Sequence, residues 1–359
     1  MQTAIEAVRA RGPLDVDAMR EASGILDGLT KPPGSLGRLE WLATWLAGVT
    51  GDPRAITVER AIVVAAADHG VARQGVSAYP SDVTAQMVAN FVAGGAAINV
   101  LASRVGAAVT VIDVGVAGPI PGGSAGERGG RLIERRVRDG TADMTLEPAM
   151  AREEAIAAIG VGLEAVEALV RDGVRLIGVG EMGIGNTTAA SALTAALTGV
   201  PVAAVTGRGT GIDDAAVQHK VRVIEQALAL HRPDPADPVG VLAAVGGLEI
   251  AALTGVLLGA VGAGIPVVLD GFITGAAALV TTGLVPAAAP RMLASHRSVE
   301  PGHTVVLERL GLDPLLDLDL RLGEGTGAAL AMGLIDAAVA IRDGMATFAS
   351  AGVAGPTDA

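Results

Sequence analysis

Short apolar runs alternate with longer helix-periodic stretches along most of this 359-residue chain. Six runs predict strands, each ending in a polar or glycine-rich turn. They are 61–67 before Asp68-His69-Gly70, 109–114 before Gly115, 175–179 before Gly180-Glu181, 202–205 before Gly207-Arg208-Gly209, 267–269 before Asp270-Gly271, and 291–294 before Ser295-His296. Helical patterns fill the intervals at 82–104, 152–171, 187–197, 213–230, 239–261 and 275–282. Strand and helix in alternation predict an α/β fold: a Rossmann-like, doubly wound parallel sheet flanked by helices. In such sheets ligands bind at the carboxyl ends of the strands, so Asp68, Glu181, Asp270 and His296 are expected on one rim. For Asp68 and Asp270, capping a helix or holding a loop is the simpler role.

The two ends read differently. Helices are expected over 15–29 and 36–49, joined by the stiff turn Lys31-Pro32-Pro33-Gly34-Ser35 with Ser35 as N-cap. A C-terminal helix over 327–342 has no strand after it. The ends are therefore expected to pack as a small helical domain (1–55 and 321–350) beside a catalytic sheet domain (56–320), with a disordered tail at 351–359. Trp41 and Trp45 share one helix face, a core or interface pattern. Residues 117–131, rich in glycine and proline, read as a surface loop.

Composition narrows the function. A net charge of −12 argues against a nucleic-acid surface. With no cysteine there are no disulfides, thiolate metal sites or cysteine nucleophiles. The five histidines lack metal-ligand spacing, so structural or solvated roles are expected and no metal. Fifty glycines with few aromatics imply close helix–sheet packing. The uncharged run 250–269 is long enough to span a membrane. Glycines and Pro266 interrupt it, however, and 266–270 reads as a buried strand, so no membrane span is expected. The first residues do not form a signal peptide. Lys31 and Lys220 are the only lysines among 26 basic residues, and a lysine is a compact point charge that reaches a phosphate oxygen in a tight space.

Four segments carry chemistry. Residues 178–188, Gly-Val-Gly-Glu-Met-Gly-Ile-Gly-Asn-Thr-Thr, run from a strand into a helix. Glycines there let backbone N–H groups approach an anion, and the helix dipole favours negative charge. The loop is neither a Walker loop nor GxGxxG in register, and a tight turn without ligand is the bland alternative. Glu181 inside this loop is awkward beside a phosphate, which suggests a phosphorylated substrate reacting close to its phosphate. The second segment, Leu320 to Gly327, sets Glu324 between glycines before a helix, a position for a general base or simply for an acid at a helix N-terminus. The third, Gly207 to Gly211 followed by Lys220, could clamp a phosphate. The fourth, through Tyr79, Gln86 and Met87, could wall a flat apolar ligand.

Together these stretches resemble the nicotinate-nucleotide–dimethylbenzimidazole phosphoribosyltransferase family of cobalamin biosynthesis. The matching motifs include KPPGSLGRLE (31–40), ADHGV (67–71), GVSAYP (75–80), VTAQM (83–87), GEMGIGNTT (180–188), GRGTG (207–211), HK (219–220), DGFITGAAAL (270–279), ASHRSVEPGH (294–303) and LRLGEGTGAAL (320–330). The resemblance spans 31–330 in one order. It implies transfer of phosphoribosyl from nicotinate mononucleotide to 5,6-dimethylbenzimidazole by a cytoplasmic homodimer, with no metal or redox cofactor. It implies Glu324 as general base and Glu181 as the second active-site glutamate, either stabilising an oxocarbenium-like centre or holding a ribose hydroxyl. Gly183, Gly185, Asn186 and Thr187 would bind the phosphate with Lys220 as counter-charge. Gly209 and Ser298 would line the nucleotide, and Tyr79, Gln86 and Met87 the base pocket. A nucleotide hydrolase and a non-catalytic carrier are the alternatives; a carrier has no evident use for two glutamates at a phosphate site.

Overall fold

The computed structural model describes residues 1–122, 128–209 and 211–354. Six strands form one parallel sheet: β1 (Arg60–Ala67), β2 (Ala107–Gly115), β3 (Arg131–Glu134), β4 (Leu176–Met182), β5 (Val267–Leu269) and β6 (Met292–Ala294). Their order is β3-β2-β1-β4-β5-β6. Strand order reverses between β1 and β4, and in doubly wound sheets a ligand crevice opens at such a point. A separate two-stranded ladder pairs His296–Arg297 with Leu316–Asp317.

Both faces of the sheet are covered, and β1 shows why its sequence is apolar throughout. Ala61, Val63, Ala65 and Ala67 point into one core; Ile62, Val64 and Ala66 point into the other. The first core is closed by the helices Arg152–Arg171, Asn186–Thr198, Leu248–Ala263 and Phe272–Leu284. The second lies under Arg38–Thr50, Val83–Ala93, Ala97–Arg104 and Thr326–Gly344. Each fully buried Val, Leu or Ile contributes roughly 1.5–3 kcal/mol. Glycine sets the helix spacing: a β-carbon at Gly162 would overlap the carbonyl of Ala252, so helices 152–171 and 248–263 touch backbone to backbone. Gly162→Val would force them apart.

Several expectations are corrected. Residues 202–205 form one helical turn after Pro201, not a strand. The place beside β4 is filled by β5, and Ser191 Oγ donates to the Val205 carbonyl at 2.9 Å. The helix expected over 82–104 breaks at Gly94, whose φ of +86° ends its first half. The one expected over 239–261 breaks at Gly246-Gly247. β3 and the helices Gln2–Ala10 and Pro301–Leu310 are not among the expected elements. Ser35 is not the N-cap; Gly37 is. The Glu40 carboxylate instead accepts from the Gly34 and Leu36 amides, and Lys31 Nζ lies 2.8 Å from it. Buried Lys31 is thus a fastener of the proline turn. Trp45 is buried and donates to the Pro290 carbonyl, while Trp41 stacks on it half in solvent.

The chain ends meet: Thr30 N–H donates to the Ala346 carbonyl at 2.9 Å. Leu26, Leu42, Trp45 and Leu46 share the core of Ile62 and Val64. A short helix, Phe348–Ala351, follows. The rest of the expected disordered tail, from 355, and residues 123–127 of the expected loop lie outside the described residues. The run 250–269 is a buried helix leading into β5. By length and composition alone Val83–Arg104 is apolar enough to cross a membrane, but it folds as the two broken helices above.

Candidate active site

At the β1/β4 reversal, β4 carries Gly180, Glu181 and Met182 to its end and turns through Gly183 and Gly185 into helix Asn186–Thr198. Gly185 has φ +94°, which glycine alone adopts freely. A β-carbon on Gly183 would strike the Ala67 carbonyl, so the turn lies directly on β1. Thr84 Oγ1 accepts from the Ile184 amide at 3.2 Å, tying the turn to the helix that carries Gln86 and Met87. Among the described residues no side chain caps the helix at Gly185. The Asn186 and Thr188 amides donate to the Gly183 and Gly185 carbonyls at 3.1 and 3.0 Å, and the helix dipole favours negative charge at this end.

Lys220 reaches this turn from helix Asp214–His231. It is 1% exposed, and its Nζ donates to Thr187 Oγ1 at 2.7 Å. Burial pulls its pKa down to about 8, against the raising charge of Glu300. Gly209 belongs here as well: a β-carbon there would stand 2.9 Å from Thr187 Oγ1 and 3.5 Å from Lys220 Nζ. Its amide donates to Glu300 Oε1 at 2.8 Å. Thr210, in the same loop, is outside the described residues. Ser298 is buried beside Glu300, whose amide donates to Ser298 Oγ at 3.3 Å.

The two glutamates come from loops in direct contact. A β-carbon on Gly180 would overlap the Glu324–Gly325 peptide, and one on Gly323 would overlap the Glu181 carboxyl. Glu181 is buried and accepts from Asn186 Nδ2. Burial, then the charges of Glu249 and Asp270, push its pKa well above the usual range, against the Asn186 hydrogen bond. Glu324 is also buried, and its Oε2 lies 3.4 Å from the Ile98 amide. Burial raises its pKa to about 7 despite that contact. Its backbone sits at φ +65°, a conformation that costs a non-glycine residue about 1–2 kcal/mol.

Asp270 holds this loop. Its Oδ2 accepts from the Gly325 amide at 3.0 Å, and its Oδ1 from Gly327 and Ala328 at 2.7 and 3.3 Å. Burial lifts its pKa to about 7 against those bonds. This is the capping role expected for it. Asp68 likewise holds a loop, accepting from the Ala117 amide at 2.8 Å. His296 lies 3.8 Å from Asp270 Oδ1, but burial lowers its pKa to about 4, so it is neutral near pH 7 and forms no ion pair. His303, pulled to about 3 by burial first, accepts the Ser298 amide on Nδ1.

The structure thus gathers Glu181, Glu324, Gly183, Gly185, Asn186, Thr187, Gly209, Lys220 and Ser298. It leaves Gln86 exposed and Tyr79 54% exposed, with Met87 half-buried against the second core. Sequence reasoning missed three buried charged residues here: His69, Glu249 and Glu300. Glu249 did leave a signal, as the lone charge heading a long apolar helix.

A Rossmann-like sheet with a glycine turn and buried acids at its switch point is an architecture of nucleotide-handling enzymes. A family model described as phosphoribosyltransferase matches residues 12–353. The nicotinate-nucleotide–dimethylbenzimidazole phosphoribosyltransferase of Chloroflexus aggregans is 57% identical over 353 residues, 98% of each chain. That of Geobacter metallireducens is 55% identical over 344 residues, 95% of each. The crystal structure of CobT from Thermus thermophilus superposes with a TM-score of 0.89 at 49% identity, covering 95% of this chain and all of that one. The chain belongs to this family of phosphoribosyltransferases.

Proposed function

We propose that this enzyme transfers the phosphoribosyl group of nicotinate mononucleotide to 5,6-dimethylbenzimidazole, giving α-ribazole 5′-phosphate and nicotinate for the lower ligand of cobalamin. The observation that carries this reading is the seating of the Glu324 loop on Gly180. It brings an acid whose pKa burial raises to about 7 against the strand that leads into the glycine turn. The mononucleotide phosphate would be bound by Gly183, Gly185, Asn186 and Thr187, with Lys220 as counter-charge. Gly209 and Ser298 line the nucleotide; Met87, Tyr79 and Gln86 line the base.

One benzimidazole nitrogen attacks the anomeric carbon while Glu324 takes the proton from the other. The C–N bond to nicotinate breaks, and its electron pair neutralises the pyridinium ring. That leaving group is already good, so the scheme needs no metal. Glu181, whose pKa burial raises well above the usual range, either holds a ribose hydroxyl or stabilises an oxocarbenium-like centre. The reading includes a cytoplasmic homodimer and a small helical lobe from the two chain ends. A product assay with nicotinate mononucleotide and a panel of bases tests it. α-Ribazole phosphate should form only when a benzimidazole is supplied; release of nicotinate without any acceptor would instead mark a hydrolase.

A further inference from the structure

Beneath the glycine turn lies a buried pair that this scheme does not use. His69 stands two residues after the end of β1, and Glu249 lies in the first turn of helix Leu248–Ala263; they are 3% and 0% exposed. His69 Nε2 is 2.8 Å from Glu249 Oε1. The ring is clamped between two glycines. A β-carbon at Gly183 would stand 3.3 Å from its Cδ2 and Nε2, and one at Gly247 would overlap its Cε1. A β-carbon at Gly185 would stand 3.4 Å from His69 Cβ. Burial pulls the imidazole down, but Glu249, by charge and hydrogen bond, and Asp68 outweigh it and hold its pKa above the usual range. His69 Nδ1 and Glu249 Oε2 have no hydrogen-bond partner among the described residues. A buried ion pair left partly unsatisfied is a weak source of stability.

We propose that His69 and Glu249 act as one positioning unit for the phosphate end of the substrate, fixing the height of Gly183 and Gly185. This rests on the reading of that turn as the phosphate seat. The pair acts on the phosphate end through the glycines, while Glu249 also bears on Glu181 by its charge.

The test compares nicotinate mononucleotide with nicotinate riboside, which lacks the phosphate, in wild type, Glu249→Gln and the double variant His69→Gln/Glu249→Gln. The KM for the mononucleotide should rise roughly tenfold in Glu249→Gln, the size of coupling found within one buried charge network. The loss of Glu249's charge beside Glu181 bears on both donors alike, so kcat/KM for the riboside should fall much less than that for the mononucleotide and the preference for the phosphorylated donor should shrink. The double variant should match the single one, because the pair works as a unit. A parallel fall with both donors, an unchanged preference, or loss of folded protein in both variants would assign the pair to the fold and overturn the proposal. Failure of wild type to turn over the mononucleotide would instead overturn the reaction itself.

Discussion

Two helices of this protein begin alike and end up with opposite roles. Asn186–Thr198 and Thr326–Gly344 each start at a left-handed glycine, Gly185 at φ +94° and Gly325 at +91°. Each follows a loop bearing a buried glutamate. At the second helix the amides are taken by the chain's own Asp270. At the first no described side chain caps the start, and a lysine waits beside it. The same element is an internal lock in one place and, in the proposed reading, an anion seat in the other. The difference lies in one carboxylate at the end of β5. A locked loop suits a group that must move a proton; an open one suits a group that must bind and release.

This contrast is most easily broken at the locked loop. Glu324→Gln should lower kcat by roughly 10²–10⁴-fold with little change in the KM for mononucleotide. Full activity in steady-state assays would remove the general base. At the open seat, Lys220→Ala should act on binding: a lost hydrogen bond to a charged group, about 1.5–3 kcal/mol, raises the KM for mononucleotide roughly 10- to 100-fold. A change confined to kcat would count against the seat. Between the two, pH discriminates. The base must be unprotonated, so log kcat/KM should climb with unit slope up to about pH 7 and then level off. A flat profile there contradicts the assignment.

Stability should respond with the opposite sign. Glu324 and Asp270 have folded pKa values of about 7, above ordinary values of 4.5 and 3.8. The unfolded chain releases these protons first, so the stability they confer is full below about pH 4 and is lost as pH rises through about 7. Denaturant titrations across that window should show a flatter curve for Glu324→Gln than for wild type. Asp270→Ala should destabilise by about 1–3 kcal/mol at low pH, since it strands three amides, and by less as pH rises through about 7. The smallest effect is expected at the exposed rim. Tyr79→Ala should raise the KM for the base a few-fold, an aromatic contact contributing about 0.5–1.5 kcal/mol.

Much of this was legible in the chain. The helix at 152–171 has the bounds its periodicity predicts, and β1 reads as a strand because both its faces are buried. The two glutamates and Lys220 stand out because glycines, or a rarely used residue type, mark them. What was not legible depends on partners distant in sequence. His69 and Glu249 lie 180 residues apart, and Glu300 is 91 from Gly209. No local pattern shows that such charges meet. Residues 202–205 look like any short strand; only the occupied slot beside β4 makes them a helix.

The left-handed backbone of Glu324 has a consequence for anyone who would evolve this protein. Glycine at position 324 would relax the main chain and remove a buried acid in one step. Selection for heat resistance without selection for product should therefore drift toward Glu324→Gly. The survivors would be sturdier and catalytically dead.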